Sequence, residues 1–261
     1  MIKYTAIFFL TLIVAFAAEN KCVRRFSVSQ TTQPEKVLGG IVRGNPTEKK
    51  IALVFTGHEF ADGGNTILKT LKKQRVKGSF FLTGDFYRKY ASLTRNLQRN
   101  GYYLAPHSDK HLLYADWEDR SKTLVSKDEF EKDLNDNYSA MQKARLKIPE
   151  PRYFMPPYEW YNQQISDWAK LMGVQIVNFT PGTTSNADYT TPDMKNYRSS
   201  EEIYNNILSY EEKNNLNGFL LLIHIGTDPK RTDKLYNHLE SLIKELKKRG
   251  YEFVRVDELL K

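Results

Sequence analysis

The sequence predicts an α/β fold in which about seven parallel strands alternate with helices. Short apolar segments, which are typical of strands, are separated by longer segments whose leucines and isoleucines recur at helical spacing. This alternation gives a parallel sheet with right-handed crossovers, either closed into a barrel or open and doubly wound. No glycine-rich dinucleotide fingerprint follows the first strand. Polar residues follow the strands instead, where barrels place their chemistry.

Seven strands are expected, and each is short and mostly apolar. They are predicted at 51–56, 78–83, 102–105, 152–155, 174–179, 219–223 and 252–256. The segment 219–223 is apolar throughout, which indicates a strand covered on both faces.

Helices are expected between these strands, followed by a final turn at 257–261. They are predicted at 65–75, 86–100, 126–145, 163–172, 199–214 and 232–249. Ser126 with Glu129 makes a capping box at the start of one helix, and Ser199 with Glu202 caps another. A glycine follows each of three predicted helices, as is common at the C-terminal end of a helix.

Residues 1–18 have the pattern of a secretory signal peptide. Lys3 precedes an apolar run over 7–16, and small residues end the segment at Ala17 and Ala18. A membrane anchor is the alternative, but the apolar run is too short to span a bilayer comfortably. We therefore predict cleavage after Ala17 or Ala18 and export to the periplasm, the cell surface or the medium.

The rest of the chain divides into an irregular segment, 19–48, and one domain, 49–261, which is large enough for a sizeable core. Cys22 is the only cysteine, so no internal disulfide is possible, and Glu19 to Lys21 before it are not the small residues that lipidation requires. The net charge is +8, but most lysines fall on predicted helices beside acidic residues. We expect no nucleic-acid partner and no stable membrane span after signal removal.

The pair His107 and His111 is the centre of the predicted site. Two imidazoles four residues apart fall on one side of a helical turn, so both can reach a single ion. Two unrelated surface histidines are the alternative. This alternative is weakened because His58 and His224 also stand at the ends of apolar runs, so four of the five histidines occupy such positions.

Other polar residues follow the strands as well. Glu59 and Asp62 follow the first strand, Tyr158 and Glu159 follow the fourth, and Asn178 closes the fifth. Because the carboxyl ends of parallel strands meet on one face of the fold, we expect these residues to gather there.

The motifs resemble those of the polysaccharide deacetylase family, carbohydrate esterase family four, with its NodB-homology domain. The resemblance covers about residues 50–257, and the most specific motif, His-Ser-x-x-His, is intact at 107–111. The strand at 52–56, which leads to Asp62-Gly63, matches the family's Asp-Asp-Gly motif, and 76–84 matches its second strand. Residues 155–158 match the Arg-Pro-Pro-Tyr motif, and 221–224 match Leu-x-x-His.

The resemblance implies a distorted barrel of seven or eight strands and metal-dependent removal of acetyl groups from sugars. By the same resemblance, Asp62, His107 and His111 would hold a divalent metal ion, with zinc expected, leaving an open position for water.

Further roles follow from the resemblance. A backbone amide near Tyr158 would help to hold the oxyanion, and His224 would protonate the leaving group. Leu222 would line the pocket for the acetyl methyl group. The candidates for stacking on sugar rings are Trp160, Tyr161 and Trp117. Core packing is the alternative for each of these aromatic residues.

Two departures from the family pattern concern the general base. Ala61 stands where the family has its first Asp, the usual base, and Met155 stands where it has the Arg that tethers that base. One interpretation is that the longer loop supplies a new base, with Glu59 the first choice and His58 the second. Glu159 is a further acidic candidate. The other interpretation is loss of catalysis.

The sequence therefore predicts a metal-dependent hydrolase that removes acetyl groups from an acetylated polysaccharide or oligosaccharide, at an amide or an ester. The alternative is a catalytically inactive carbohydrate-binding pseudo-enzyme on the same fold. A phosphoesterase is disfavoured, because such sites commonly gather more carboxylates around two metal ions than this chain offers. The glycan and the oligomeric state are not predicted.

Overall fold

A computed structural model describes residues 32–261 as an α/β fold built on a parallel sheet. The predicted signal peptide at 1–18 and Cys22 lie outside the described residues. Within 32–261, no helix combines the length and the apolar character needed to cross a membrane.

Nine strands form within the described residues. In chain order they are β1 (Glu35–Val37), β2 (Gly40–Arg43), β3 (Lys50–Gly57), β4 (Ser79–Leu82), β5 (Tyr103–Pro106), β6 (Tyr153–Phe154), β7 (Gln175–Ile176), β8 (Phe219–His224) and β9 (Glu252–Val254).

Eight α-helices form within the same residues. They are α1 (Gly64–Gln74), α2 (Gly84–Lys89), α3 (Ala91–Arg99), α4 (Lys127–Lys143), α5 (Gln163–Leu171), α6 (Ser200–Asn214), α7 (Leu239–Lys248) and α8 (Val256–Leu259). Short 3-10 helices lie at Pro157–Glu159, Ser185–Tyr189 and Leu235–Asn237.

Strand β3 is central, because three other strands pair with it in parallel. β8 lies along one edge, from Ile51 opposite Phe219 to Thr56 opposite His224. β4 and β9 share the other edge, β4 along the carboxyl half of β3 and β9 along its amino end. β5 pairs with the far edge of β4.

Backbone hydrogen bonds close these strands into a distorted barrel. β6 and β7 form a parallel pair, and the Met155 amide donates to the Pro106 carbonyl at 3.3 Å, which joins β6 to β5. A parallel bridge joins β2 to the residue after β7. The Gly44 amide donates to the Gly218 carbonyl at 2.7 Å, which joins the end of β2 to the start of β8. The ring therefore runs β3, β4, β5, β6, β7, β2, β8 and back to β3.

This closure changes which segments form the barrel wall. We expected 19–48 to be irregular, but 35–43 forms an antiparallel hairpin of β1 and β2. The strand expected at 252–256 forms as β9 and pairs with the amino end of β3. β2 was not predicted because it is only four residues long and its barrel partners are remote in sequence.

The strands separate a packed barrel interior from a helix-covered exterior. Ala52 and Val54 of β3 belong to the interior cluster, together with Leu222 of β8. Leu53 and Phe55 alternate with them and pack in a second cluster with residues of the surrounding helices. The interior is filled by side chains, as in other small barrels, so chemistry is confined to the loops at its rim.

Most predicted helices form, with two differences. The helix expected at 86–100 is two helices, α2 and α3, which meet at Tyr90. The long helix expected at 232–249 becomes α-helical only from Leu239. The capping box of Ser126 and Glu129 is confirmed, and so is the cap at Ser199.

Replacing Gly40 with alanine should destabilise the protein. An added Cβ would lie 2.3 Å from the Tyr161 hydroxyl oxygen and 2.8 Å from Ile176 Cγ2, so β2 would have to move away from β7. Overpacking of this kind costs about 1–3 kcal/mol, which urea denaturation would measure. Val37→Ala is the control, because that side chain is exposed on the same hairpin. If Gly40→Ala is as stable as the unaltered protein, close packing of β2 is not needed for closure.

Candidate active site

The loops after β3 and β5 bring three histidine rings together. The His58 ring stacks on the His111 ring, with centroids 4.8 Å apart and planes 8° from parallel. The His107 ring lies 5.1 Å from the His111 ring. We call His58, His107 and His111 the histidine cluster. The structure thus adds His58 to the predicted pair.

Helix α4 holds the loop that carries two of these histidines. The carboxylate of Asp133, itself buried, accepts hydrogen bonds from the backbone amides of Asp109 and Lys110, both at 3.2 Å. It also accepts a hydrogen bond from the Tyr114 hydroxyl at 2.5 Å. One side chain therefore satisfies three donors and fixes the course of the loop.

The same loop contains backbone in the left-handed region. Ser108 has φ 74° and His111 has φ 59°, angles that side-chain-bearing residues seldom adopt. The Ser108 hydroxyl accepts a hydrogen bond from the His111 amide at 2.8 Å. The Asn137 side-chain amide donates to the Ser108 carbonyl from α4. These bonds hold the conformation that presents the histidine rings.

His107 and His111 are held as neutral imidazoles. The His107 ring is buried, and its Nδ1–H donates to the Met155 carbonyl at 2.8 Å, which leaves Nε2 with a free lone pair. Burial lowers the pKa of His107 to about 3, although the Met155 hydrogen bond opposes this. Burial, and then the neighbouring His107, also hold the pKa of His111 well below its usual range. Neutral imidazole is the form that binds metal ions.

The histidine cluster has the donor chemistry of a metal site without its closed geometry. Imidazole nitrogens suit zinc and related ions, and the Met155 carbonyl supplies the second contact that orients a metal-binding histidine. Among residues 32–261, however, no group of three or more His, Cys, Asp or Glu side chains stands in a geometry that holds a metal ion. The donors fit such an ion by chemistry, and binding would require the rings to move toward it.

Asp62, the third ligand predicted from the sequence, has other partners. One carboxylate oxygen accepts a hydrogen bond from the Thr227 amide at 2.9 Å, and the other accepts one from the Tyr236 hydroxyl at 2.7 Å. Lys234 Nζ lies 3.1 Å from the second oxygen. Asp62 therefore ties the loop after β3 to the loop after β8, whereas His58 lies beside His111.

Glu159 places a largely buried carboxylate, with 11% of the side chain exposed, beside the histidine cluster. Two prolines begin a 3-10 turn in which Tyr158 and Glu159 both have left-handed backbone angles, φ 58° and φ 54°. The turn leaves Tyr158 exposed and brings Glu159 Oε1 to 3.9 Å from His107 Nε2. Burial raises the pKa of Glu159 to about 7, although His224 opposes the shift. Its surroundings thus suit a proton acceptor near neutral pH.

The two general bases predicted from the sequence, Glu59 and His58, lie in different surroundings. Glu59 is exposed, and its backbone carbonyl accepts hydrogen bonds from Lys89 at 3.2 Å and Tyr90 at 2.9 Å. His58 belongs to the histidine cluster. Met155, which stands at the position of the family's tethering Arg, is fully buried in the barrel interior.

His224 is held by a buried aspartate. Its Nδ1–H donates to Asp188 Oδ1 at 2.6 Å, and its backbone amide donates to Asp188 Oδ2 at 2.9 Å. Burial lowers the pKa of His224, but the attraction of the Asp188 carboxylate outweighs it, so the net pKa is raised. Nε2, the nitrogen that Asp188 does not hold, is the one free to give a proton to a substrate.

The predicted substrate contacts divide between rim and core. Tyr158 is exposed at the rim, and Trp160 is partly buried behind it, with Nε1–H donating to a backbone carbonyl at 3.0 Å. Tyr161 is fully buried, so it packs in the core and does not face solvent. Leu222 lines the barrel interior two residues before His224, on the same side of β8.

Sequence reasoning missed several of the residues that organise the site. Asp188 lies in the long polar loop after β7. An acidic residue in a loop that follows a strand is a candidate functional residue, and this was the signal that the sequence offered. Asp133 and Asn137 are polar residues four apart on the buried face of α4. Polar residues on an otherwise apolar helix face indicate a buried hydrogen-bonding role.

Comparison with known sequences gives one family. Residues 43–177, about half of the chain, match the family model described as Polysaccharide deacetylase. A peptidoglycan-N-acetylglucosamine deacetylase of Bacillus cereus is 27% identical over 214 residues, which cover 82% of this chain and 89% of that protein. The peptidoglycan-N-acetylmuramic acid deacetylase PdaA of Bacillus subtilis is 26% identical over 83% of this chain and 73% of its own length.

Solved structures of similar fold include enzymes and pseudoenzymes. The family 4 carbohydrate esterase PdaA of Bacillus subtilis superposes with a TM-score of 0.68 at 22% identity, over 88% of this chain and 92% of that one. A CE4 family pseudoenzyme of Bacillus anthracis gives a TM-score of 0.69 at 19% identity, over 87% and 70% of the two chains. At these identities the likeness shows the fold alone.

Replacing Asp188 with asparagine should lower the pKa of His224. Without the carboxylate, burial dominates, and the pKa should fall below the ordinary value of about 6.5. NMR titration of the imidazole would measure this, with the His238 signal as an internal reference.

The same variant tests the link to stability. Because the folded pKa of His224 is raised, its ion pair with Asp188 stabilises the fold fully below the unfolded pKa and loses this effect as pH rises through the folded pKa. Asp188→Asn should therefore destabilise the protein more at about pH 6 than at about pH 9. An unchanged His224 titration would contradict the assignment.

Proposed function

Because the chain belongs to the polysaccharide deacetylase family, we propose that it is a metal-dependent hydrolase that removes acetyl groups from a carbohydrate. The placement of Glu159 and His224 around the histidine cluster supports this most directly. Glu159 lies 3.9 Å from His107, and the charge of His224 acts on both residues. A carboxylate acceptor and an imidazolium donor are the two proton-transfer groups that such a hydrolysis needs.

We infer that His58, His107 and His111 would hold the metal ion through ring nitrogens, with zinc the expected ion. His58 replaces Asp62 in this set, because both Asp62 oxygens have partners in neighbouring loops. When bound, a metal ion lowers the pKa of a water molecule and polarises the acetyl carbonyl.

The proton transfers are assigned to the chain's own acid and base. Glu159 takes a proton from the water that attacks the acetyl carbon, in place of Glu59 and of the aspartate that Ala61 replaces. As the bond to the sugar nitrogen or oxygen breaks, protonated His224 gives its Nε2 proton to the leaving group. Asp188 remains ionised and keeps the imidazole oriented.

The remaining roles follow the sequence interpretation. A backbone amide near Tyr158 would hold the oxyanion. Leu222 would border the acetyl methyl group from the barrel interior, and Trp160 with Tyr158 would face the sugar. Two relatives are peptidoglycan deacetylases by name, so an acetylated cell-wall glycan is the first substrate to test. Export through the signal-like segment 1–18 would bring the enzyme to such a glycan.

The alternative is an inactive carbohydrate-binding protein. It is favoured by Ala61 and Met155, by the separate partners of Asp62 and by the absence, within 32–261, of a closed group of metal ligands. Acetate release from a panel of acetylated glycans, with and without a chelator, tests the choice. Chelator-sensitive release supports the enzyme, and glycan binding without any release supports the alternative.

Metal content should show whether the third ligand beside His107 and His111 is His58 or Asp62. His107→Ala and His111→Ala should lose most bound metal under either set. If His58 is the third ligand, His58→Ala should also lose most of the metal, while Asp62→Asn keeps it. Elemental analysis after loading with Zn²⁺ would measure this. The opposite pattern, with metal kept in His58→Ala and lost in Asp62→Asn, would return the assignment to Asp62.

Replacing Glu159 with glutamine should lower turnover by roughly a hundredfold to ten thousandfold, the usual contribution of a general base. The amide keeps the shape of the side chain, so the fold and the metal content should be unchanged. Glu59→Gln is the matched control and should keep most of the activity, because Glu59 is exposed. Loss of turnover in Glu59→Gln with full activity in Glu159→Gln would restore the base predicted from the sequence.

A further inference from the structure

Four neighbouring turns at the end of the barrel opposite the candidate site are rich in basic residues. They follow α1, α3, α4 and α7 and lead into β4, β5, β6 and β9, so they lie at the amino ends of the strands, whereas the site follows carboxyl ends. Together they contain twelve Lys and Arg residues and no Asp or Glu, in the segments 72–77, 95–101, 143–147 and 247–249. The 27 basic residues elsewhere do not outnumber the 31 acidic ones, so these turns account for the net positive charge.

Hydrogen bonds join the four turns side by side. Lys247 Nζ donates to a backbone carbonyl at the end of α1 at 2.6 Å. Lys77 Nζ, in the turn after α1, donates to a backbone carbonyl in the turn after α3 at 2.5 Å. The Gln98 side chain of α3 exchanges two hydrogen bonds, at 2.8 and 2.9 Å, with the backbone of Lys147 in the turn after α4. The basic residues therefore lie on one continuous surface.

Most of these basic side chains face solvent and have no acidic partner. We call six of them the basic face: Lys72, Arg75, Lys77, Arg99, Arg145 and Lys147. All six are exposed, and none of them forms an ion pair with a carboxylate in the described part of the chain. Glu150 and Glu245, which stand close to two of the turns, already pair with Arg152 at 3.2 Å and with Arg249 at 3.0 Å. The uncompensated positive charge would attract an anionic partner across the whole basic face.

The helix dipole accounts for only part of this pattern. Lys and Arg are favoured in the last turn of a helix, where the dipole presents negative charge, and the effect falls off within that turn. Lys77 and Lys147 stand three and four residues beyond the ends of α1 and α4. Their charges therefore need another explanation.

Two arginines of the basic face occupy backbone positions that favour glycine. Arg75, with φ 52°, and Arg145, with φ 62°, follow α1 and α4 in the left-handed region. Gly101 and Gly250 have left-handed φ in the similar turns after α3 and α7. The Cβ of arginine disfavours this conformation, so both turns would be more stable with glycine. The charge is kept at a cost to the turn, which indicates a role outside the fold.

The composition of these turns fits an anionic lipid surface better than a single-stranded polyanion. Proteins that hold a single nucleic-acid strand combine basic residues with exposed aromatic rings on which bases stack. Within 32–261, none of the exposed large apolar side chains belongs to the four turns, and the exposed rings of Trp117, Tyr158 and Tyr189 follow strands at the other end of the barrel. Anionic lipid headgroups are recognised by clusters of Lys and Arg through charge alone.

We propose that the basic face docks the protein on a bilayer that contains anionic lipid, as a peripheral contact and not as a membrane span. The candidate site then faces away from the bilayer, because it lies at the opposite end of the barrel. Electrostatic attraction extends over about 10 Å at about 0.1 M salt, so the long side chains need not insert among the lipids. This docking goes beyond the deacetylase function and does not depend on it.

Cosedimentation with lipid vesicles tests the docking. The protein should sediment with vesicles of phosphatidylcholine and phosphatidylglycerol, but not with vesicles of phosphatidylcholine alone. Salt at about 1 M, where the Debye length is about 3 Å, should release it.

Arg75→Gly combined with Arg145→Gly removes two charges from the basic face. Glycine is favoured at both positions, so the fold should be kept, and urea denaturation would verify this. One basic residue near an anionic surface contributes a factor of about five in affinity, so the double variant should bind the anionic vesicles about thirtyfold more weakly.

Lys195→Gln combined with Lys230→Gln is the matched control. It removes the same charge from two exposed residues in the loops after β7 and β8, on the side of the candidate site. This variant should bind anionic vesicles as well as the unaltered protein does. Acetate release from a soluble acetylated oligosaccharide should be the same in both double variants as in the unaltered protein, because neither changes a residue of the site.

The outcomes for the docking and for the deacetylase function are distinct. The docking is refuted if the protein does not sediment with anionic vesicles, or if both double variants lose the same affinity. It is also refuted if duplex DNA or inorganic polyphosphate is bound in preference to the vesicles in competition. Failure of the deacetylase function would appear instead as the absence of acetate release, whether or not the vesicles are bound.

Discussion

The parallel pairing of β3 with its neighbours is the constraint on which the site depends. Thr56 lies opposite His224 in the pairing of β3 with β8. The last pairs of β3 with β4 and of β4 with β5 come immediately before His58 and His107. His58, His107 and His224 therefore leave the sheet at about the same level. A register shift of one residue would turn the strand side chains to the opposite face and disperse the group.

Left-handed backbone conformations occur where the site needs side chains in unusual directions. The residues of the site with left-handed φ are Ser108, His111, Tyr158 and Glu159. Such conformations cost about 1–3 kcal/mol each and persist only where surrounding contacts determine them. Asp133 and Asn137 supply those contacts for the histidine loop, and Asn178 does so for the turn at Glu159, because its side-chain amide donates to the Glu159 carbonyl at 2.7 Å. The polar residues of the rim thus serve the fold and the site together.

The barrel rim explains how this chain, which lacks two residues of the family pattern, still places a carboxylate beside the histidine cluster. Loops from different strands converge on one face, so a carboxylate after β6 can stand where one after β3 is missing. Glu159 follows β6, and its carboxylate lies 3.9 Å from His107 Nε2. Asp62 contacts Lys234 and Tyr236 and links the loops after β3 and β8.

The order of strands and helices, the helix caps and the family were all accessible from the sequence, because each depends on residues close together in the chain. Hydrophobic periodicity and capping at Ser126 are local, and the histidine motif at 107–111 is a single short segment. The tertiary structure alone decided that β2 closes the barrel and that His58 and not Asp62 lies beside His111. It also decided that Glu159 lies largely buried near His107 while Glu59 faces solvent. These outcomes depend on side-chain direction, on burial and on hydrogen-bond partners more than a hundred residues away, as between Asp62 and Tyr236, and none of these is written in local sequence pattern.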